Sequence, residues 1–219
     1  MNRVIRAVAV IGAGLMAVSA NAAIITNGSF ELGTDPGVFS TENVGSTAIT
    51  GWTVGGFGVD YIGSYWQASD GVRSIDLSAL SSGSLSQTIA TVAGTTYTVT
   101  FDVSGNPDGG LGNKVLVSSI SGSLPNVISY EITPGNSRSN MNWLTYSYDF
   151  TAFSNTSVLT FASAEFSPFG PAIDNVSIVT SGGGGGATVP EPSVWAMLLI
   201  GFGAVGFAAR ARKGHQVNA

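Results

Sequence analysis

Apolar and polar side chains alternate with a period of two through most of the chain between residues 48 and 179. In Tyr97-Thr98-Val99-Thr100-Phe101-Asp102-Val103 the odd positions are apolar and the even ones polar, as a strand with one buried face requires. Leu144, Tyr146, Tyr148 and Phe150 alternate with Thr145, Ser147 and Asp149 in the same way. Shorter runs of this kind predict strands over 48–54, 72–77, 85–90, 114–119, 127–132, 158–162 and 172–179. The breaks between them are turn-forming: Gly94-Thr95, Gly105-Asn106-Pro107-Asp108-Gly109-Gly110, Pro134-Gly135-Asn136 and Ser167-Pro168-Phe169-Gly170-Pro171. No helical period persists over a dozen residues here. Nine or ten short strands with such turns predict an all-β domain, most simply a β-sandwich of jelly-roll type.

The two ends follow a different pattern. Asn2-Arg3-Val4-Ile5-Arg6 is basic, 7–18 is an apolar run, and Ala20-Asn21-Ala22 is a small-x-small site, so 1–22 reads as a secretory signal peptide cleaved between Ala22 and Ala23. Near the other end, five glycines at 182–186 form the centre of a tether over 181–189, a composition that buries too little surface to fold. An apolar stretch at 194–209 follows, closed by Arg210, Arg212 and Lys213, and then a tail at 214–219. As a helix that stretch is ~24 Å long, marginal for a ~30 Å hydrocarbon core, and its basic end favours the cytoplasmic side. Pro190-Glu191-Pro192-Ser193-Val194-Trp195-Ala196 followed by Gly201-Phe202-Gly203 resembles the PEP-CTERM sorting signal in its PEPxxWA form. Over 190–213 the resemblance implies a Gram-negative bacterium, export through the inner membrane, a transient membrane helix and processing by an exosortase. It further implies a place at the cell surface or in the extracellular matrix, with a link to exopolysaccharide and biofilm.

Composition narrows what the central segment, 23–180, can do. Its roughly 158 residues suit one core. Five of the eight basic residues lie in the terminal segments, leaving Arg73, Lys114 and Arg138 against twelve acids, a net charge of −9. That balance excludes nucleic acid and disfavours an anionic membrane surface as partners. The chain has no Cys, and its single histidine, His215, is in the tail. The segment therefore lacks the groups for a Ser-His-Asp triad, a Cys nucleophile, a zinc finger or a haem site.

Ile25-Thr26-Asn27-Gly28-Ser29-Phe30-Glu31 and Ala172-Ile173-Asp174-Asn175-Val176-Ser177-Ile178 resemble the opening and closing strands of galactose-binding-like jelly rolls, a fold shared by many carbohydrate-binding modules. Val59-Asp60-Tyr61-Ile62, Trp66, Asp70-Gly71, Ser74-Ile75-Asp76-Leu77 and 83–89 are similar to the choice-of-anchor C domain. Asp174 shares strand parity with Val176 and Ile178, which predicts a core-facing carboxylate, costly unless compensated. A calcium ion held by Glu31, Asp174 and backbone carbonyls is one solution, and the resemblance implies a structural calcium at these ends. Carboxylates at the rim, hydrated or bonded to backbone N–H groups, are the other.

Trp52, Phe57, Tyr61, Tyr65 and Trp66 crowd into a Gly-rich stretch with Asp60, Gln67, Ser69 and Asp70. Flat rings stack on the C–H faces of sugars while carboxylates bind hydroxyls. Trp52 and Tyr61 are expected in the core; Tyr65, Trp66 and Asp70 are the candidate glycan-binding residues, with Trp143 next. The expected function is non-catalytic binding of a polysaccharide, neutral rather than anionic. A self-associating structural protein and a small glycosidase using two carboxylates are the alternatives.

Overall fold

The computed structural model describes residues 24–181. The expected signal peptide with its expected Ala22/Ala23 cleavage site, the expected glycine tether and the sorting segment with Pro190, Glu191, Pro192, Trp195 and Ala196 lie outside the described residues. Eleven strands form two antiparallel sheets. The first contains β1 (Phe39–Glu42), β3 (Val59–Ile62), β4 (Ser74–Asp76), β11 (Pro171–Thr180), β6 (Thr96–Gly105) and β9 (Leu144–Thr151), in that spatial order. The second orders β2 (Thr53–Gly56), β5 (Gly83–Ala90), β10 (Thr156–Ser163), β7 (Gly112–Ile120) and β8 (Asn126–Ile132). The expected all-β jelly-roll sandwich is what the chain forms. Its main core lies between the sheets, where Val99, Phe101 and Val103 of β6 meet Leu85, Leu116, Leu159 and Phe161 of the facing sheet. The edge-to-face pair Phe101–Phe161, with ring centroids 4.8 Å apart, joins the two sheets at the centre.

Two strands, β1 and β3, are not among those predicted from alternation: β3 falls in the Gly-rich stretch at 52–66 and β1 precedes it. Each has four residues, too few for a period to show. Conversely, 25–31 forms no strand. The Gln87 side-chain amide accepts from the Thr26 N–H at 2.8 Å and donates to the Thr26 carbonyl at 2.9 Å, replacing a ladder partner, while Asn27 and Phe30 adopt left-handed φ values of 56° and 58°.

The outer face of the first sheet is covered at its middle. In β6 the even positions are half-buried at Thr98 and Thr100 but buried at Asp102 and Ser104. The cover is a second, smaller core of Ile62, Trp66, Met141 and Ala172, with Tyr65 and Trp143 against it. Asp174 lies on this outer face and not toward the main core, which corrects the parity argument. The register of β11 on β6 shifts between Asp174 and Ser177. Asn175, with φ 50°, is the extra residue of a bulge, so Ile173 and Val176 both reach the main core while Asp174 pairs with Asp102.

Candidate functional site

Among the described residues, a cleft lies on either side of Trp66 of the small core. The first, of about 240 Å³, is rimmed by Phe39, Tyr65 and Phe169, with Asp60, Asp76 and Asn106 among its walls. Phe39 and Phe169 are 44% and 37% exposed. Tyr65 packs edge-on against Phe39 at 5.2 Å. Its hydroxyl donates to Asp108 Oδ2 at 2.6 Å and accepts from Arg138 Nη2 at 2.6 Å. Arg138 in turn pairs with Asp108 at 2.8 Å and lies 4.1 Å over the Tyr65 ring. Three loops are thus fastened at one rim residue. Partial burial opposes ionisation of Asp108, but Arg138 and the Tyr65 hydroxyl outweigh it and hold its carboxyl below the ordinary range.

Asp76 anchors the floor of this cleft. It is 0% exposed, Oδ1 accepts the amides of Ser78 at 2.9 Å and Gly170 at 3.1 Å, and Oδ2 accepts Asn106 Nδ2 at 2.8 Å. Gly170 is glycine for a reason of space: a Cβ there would lie 2.6 Å from Asp76 Oδ1. Asp76 therefore fixes both the Phe169 loop and Asn106, whose own Oδ1 accepts the Asp108 amide at 3.0 Å. Burial pushes the Asp76 carboxyl up to about 8 in spite of these donors. Asp60 faces Asp76 across the β3–β4 ladder; it accepts from Thr41 Oγ1 at 2.6 Å, and burial raises its carboxyl too.

The second cleft, of about 680 Å³, lies on the other side of Trp66 and is walled by Ser64, Gln67, Gly71 and Arg73. Its loop, 69–73, is held by the two residues assigned to calcium. Asp174 Oδ2 accepts the amides of Ser69 and Asp70 at 2.7 and 2.9 Å. Glu31 Oε1 accepts those of Val72 and Arg73, both at 2.8 Å. Gly71 between them has φ +63°, and a Cβ there would lie 2.3 Å from Glu31 Oε1. Burial pushes the Asp174 carboxyl up to about 7. Asp102 stands beside it, accepting from Ser69 Oγ, Thr145 Oγ1 and Asn175 Nδ2 at 2.6, 2.6 and 3.1 Å.

As a test of fit to calcium, these oxygens point mainly at N–H groups. Among the described residues no three Asp, Glu, His or Cys side chains gather as metal ligands. A cation would take the remaining lone pairs of Glu31 and Asp174, with backbone carbonyls completing its shell.

The expectation of an exposed Tyr65–Trp66 platform is half corrected. Trp66 is 5% exposed; its indole covers the apolar strip formed by Ile62 and Ala172, and its N–H is satisfied by Ser74 Oγ at 2.8 Å. Tyr65 is at the rim of the smaller cleft. Asp70 is exposed, accepts from Ser29 Oγ at 2.6 Å and belongs to the other side. Trp143 is half-buried, donating to the Gln67 carbonyl at 3.0 Å. Trp52 and Tyr61 are in the core as expected. Sequence reasoning missed Phe39 and Phe169. The Pro168-Phe169-Gly170-Pro171 run was the available signal for Phe169, since a large ring in a tight turn has little strand to pack into.

The family model described as "Protein of unknown function (DUF642)" matches residues 23–179, and the PEP-CTERM protein-sorting motif matches 188–213. Halomucin of Haloquadratum walsbyi is 36% identical over 169 residues, 72% of this chain but 2% of that protein, so the chain spans a small fraction of this curated relative. Similar solved structures include TmCBM61 in complex with beta-1,4-galactotriose (14% identity, TM-score 0.44, covering 74% of this chain and 100% of that one). Another is the CBM22-1 xylan-binding domain of Paenibacillus barcinonensis Xyn10C (16%, 0.45, 75% and 97%). A third is a family 35 carbohydrate binding module from Clostridium thermocellum (9%, 0.45, 65% and 98%). The sorting motif marks the chain for export to the surface or beyond and for processing by an exosortase. With nearly the whole described sandwich covered by one family model, the chain belongs to the DUF642 family and carries a PEP-CTERM sorting motif.

Proposed function

We propose that this chain is a surface or matrix protein of a Gram-negative bacterium whose β-sandwich binds polysaccharide without cleaving it, in association with exopolysaccharide and biofilm. The observation that carries this reading is the smaller cleft, where the exposed rings of Phe39 and Phe169 flank Asp60 and Asn106. Rings for C–H faces and short polar groups for hydroxyls are the two requirements of sugar recognition. The polymer is uncharged or positively charged, since a −9 domain repels polyanions. Catalysis is disfavoured because Asp76, which faces Asp60 across the ladder, is fully buried with three donors on it, and an acid–base pair needs both members within reach of substrate. Affinity electrophoresis of the full-length chain through the producer's own polysaccharide tests the reading. Phe39→Ala and Phe169→Ala should each reduce binding by ~1–2 kcal/mol with the thermal melt unchanged. Retardation that neither variant alters would place the binding elsewhere, and release of reducing ends would make the protein an enzyme.

The same reading keeps calcium as a structural ion beside Glu31 and Asp174. The support is unbalanced charge: Glu31, Asp70, Asp102 and Asp174 all bond to the 69–73 loop or its neighbours, against Arg73, which is engaged by the Tyr61 hydroxyl at 2.8 Å.

A further inference from the structure

We propose that the cleft between Phe39 and Phe169 takes a protonated amino sugar, its ammonium group against Asp60 and its ring against the aromatic rim. This rests on the carbohydrate reading above and narrows it to a ligand class. Asp60 and Asp76 are register partners on adjacent strands, so their side chains share one face of the sheet. No Lys or Arg lines the cleft among the described residues. Arg138 is committed to Asp108 and Tyr65. Lys114 is buried beside Gly109 and Phe169, outside the lining. With Asp76 buried and holding its proton, Asp60 is, among the described residues, the one lining carboxyl left to meet a ligand, and no Lys or Arg lines the recess beside it.

The two carboxyls differ in what they can still bind. Asp76 has its donors from Ser78, Gly170 and Asn106 and is closed to solvent. Asp60 has one hydrogen bond among the described residues, from Thr41 to Oδ1, leaving acceptor capacity on both oxygens. It is half-buried, and burial makes ionising it costly. A ligand ammonium removes that cost, whereas a hydroxyl supplies a donor without charge and a carboxylate or sulfate adds repulsion. The rim acts in the same direction, because aromatic faces carry negative potential and attract cations. At about 240 Å³, below the ~300 Å³ of common ligand pockets, the recess has room for one ring. That size suits a chain end or a branch residue more than a length of backbone.

Isothermal titration of the full-length chain with three β-1,4-glucan hexamers that differ only at C2 tests this: hydroxyl, acetamido and amine, in mildly acid buffer of low ionic strength. The amine hexamer should bind about tenfold more tightly than the hydroxyl hexamer, equivalent to ~1.4 kcal/mol, and the preference should shrink as salt is added. Asp60→Asn should abolish the preference while retaining the hydroxyl hexamer, Asp60→Glu should restore it, and Phe39→Ala should weaken all three. If the hydroxyl hexamer binds as tightly as the amine, or the preference survives Asp60→Asn, this inference falls and the carbohydrate reading stands. If none of the three binds, both fall for these glycans. Displacement of the amine hexamer by polylysine at equal amine concentration would show a site for protein amines and would also overturn the proposal.

Discussion

Two residues decide how the outer face works, and both differ from what their neighbours in sequence suggest. Trp66 sits in a Gly-rich loop yet is buried over Ile62 and Ala172. Trp66→Ala should therefore cost ~3–5 kcal/mol of stability, as truncating a buried ring does, whereas Tyr65→Ala, at the rim, should cost much less. Urea titration of both variants checks this, and equal midpoints would show the indole to be dispensable. Asp76 is the other. Its folded pKa of about 8 lies above that of an exposed Asp, ~3.9. A raised folded value means the folded state holds the proton more tightly than the unfolded one. The resulting contribution is full below about pH 4 and is lost as the pH rises through about 8. Unfolding midpoints should decline over that window, and Asp76→Asn, which carries no titrating proton, should flatten the decline.

Among the elements, the 69–73 loop is the one set least by its own sequence and most by two distant carboxylates. Glu31→Gln keeps an oxygen for Val72 and Arg73 but loses charge, so its effect should be small. Gly71→Ala should be larger, because it combines a left-handed φ with overlap on Glu31. Hydrogen exchange should accelerate at 69–73 in Gly71→Ala and not in the β6–β9 ladder. Calcium at ~100 times its dissociation constant should add ~2.7 kcal/mol, and Asp174→Ala should remove the gain. Identical melts in EDTA and millimolar calcium would rule out an exchangeable ion. The ease of reading these elements from sequence follows from their physics. Strands β5 to β11 bury one face against a partner sheet, so alternation alone reveals them. Four-residue β1 and β3 are held by their neighbours in the sheet and leave no period to read. The bulge at Asn175 is invisible because one extra residue does not alter composition, yet it reverses the face of Asp174. The aromatic crowd at 52–66 was legible in the sequence, but its division between cleft rim and small core was not. That division depends on Met141 and Ala172, far away in sequence.

At the scale of the molecule, the chain is a folding domain and an address with different physical requirements. The sandwich has its own core and satisfies its buried side-chain polar atoms internally, with none left unpaired among the described residues. Its charge of −9 keeps it soluble where its outer strand faces are mostly Ser and Thr. The chain divides at Ser181/Gly182, where the sequence turns to five consecutive glycines. Retention should thus depend on the sorting motif at 188–213, and folding should not. Deleting 190–219 should release a folded protein into the medium, with the same melting temperature and the same Phe39-dependent retardation by polysaccharide as the full chain. A deleted form that stays cell-associated would mean that the sandwich itself anchors the protein. A deleted form that is secreted but melts several degrees lower would mean that the address and the domain are energetically coupled.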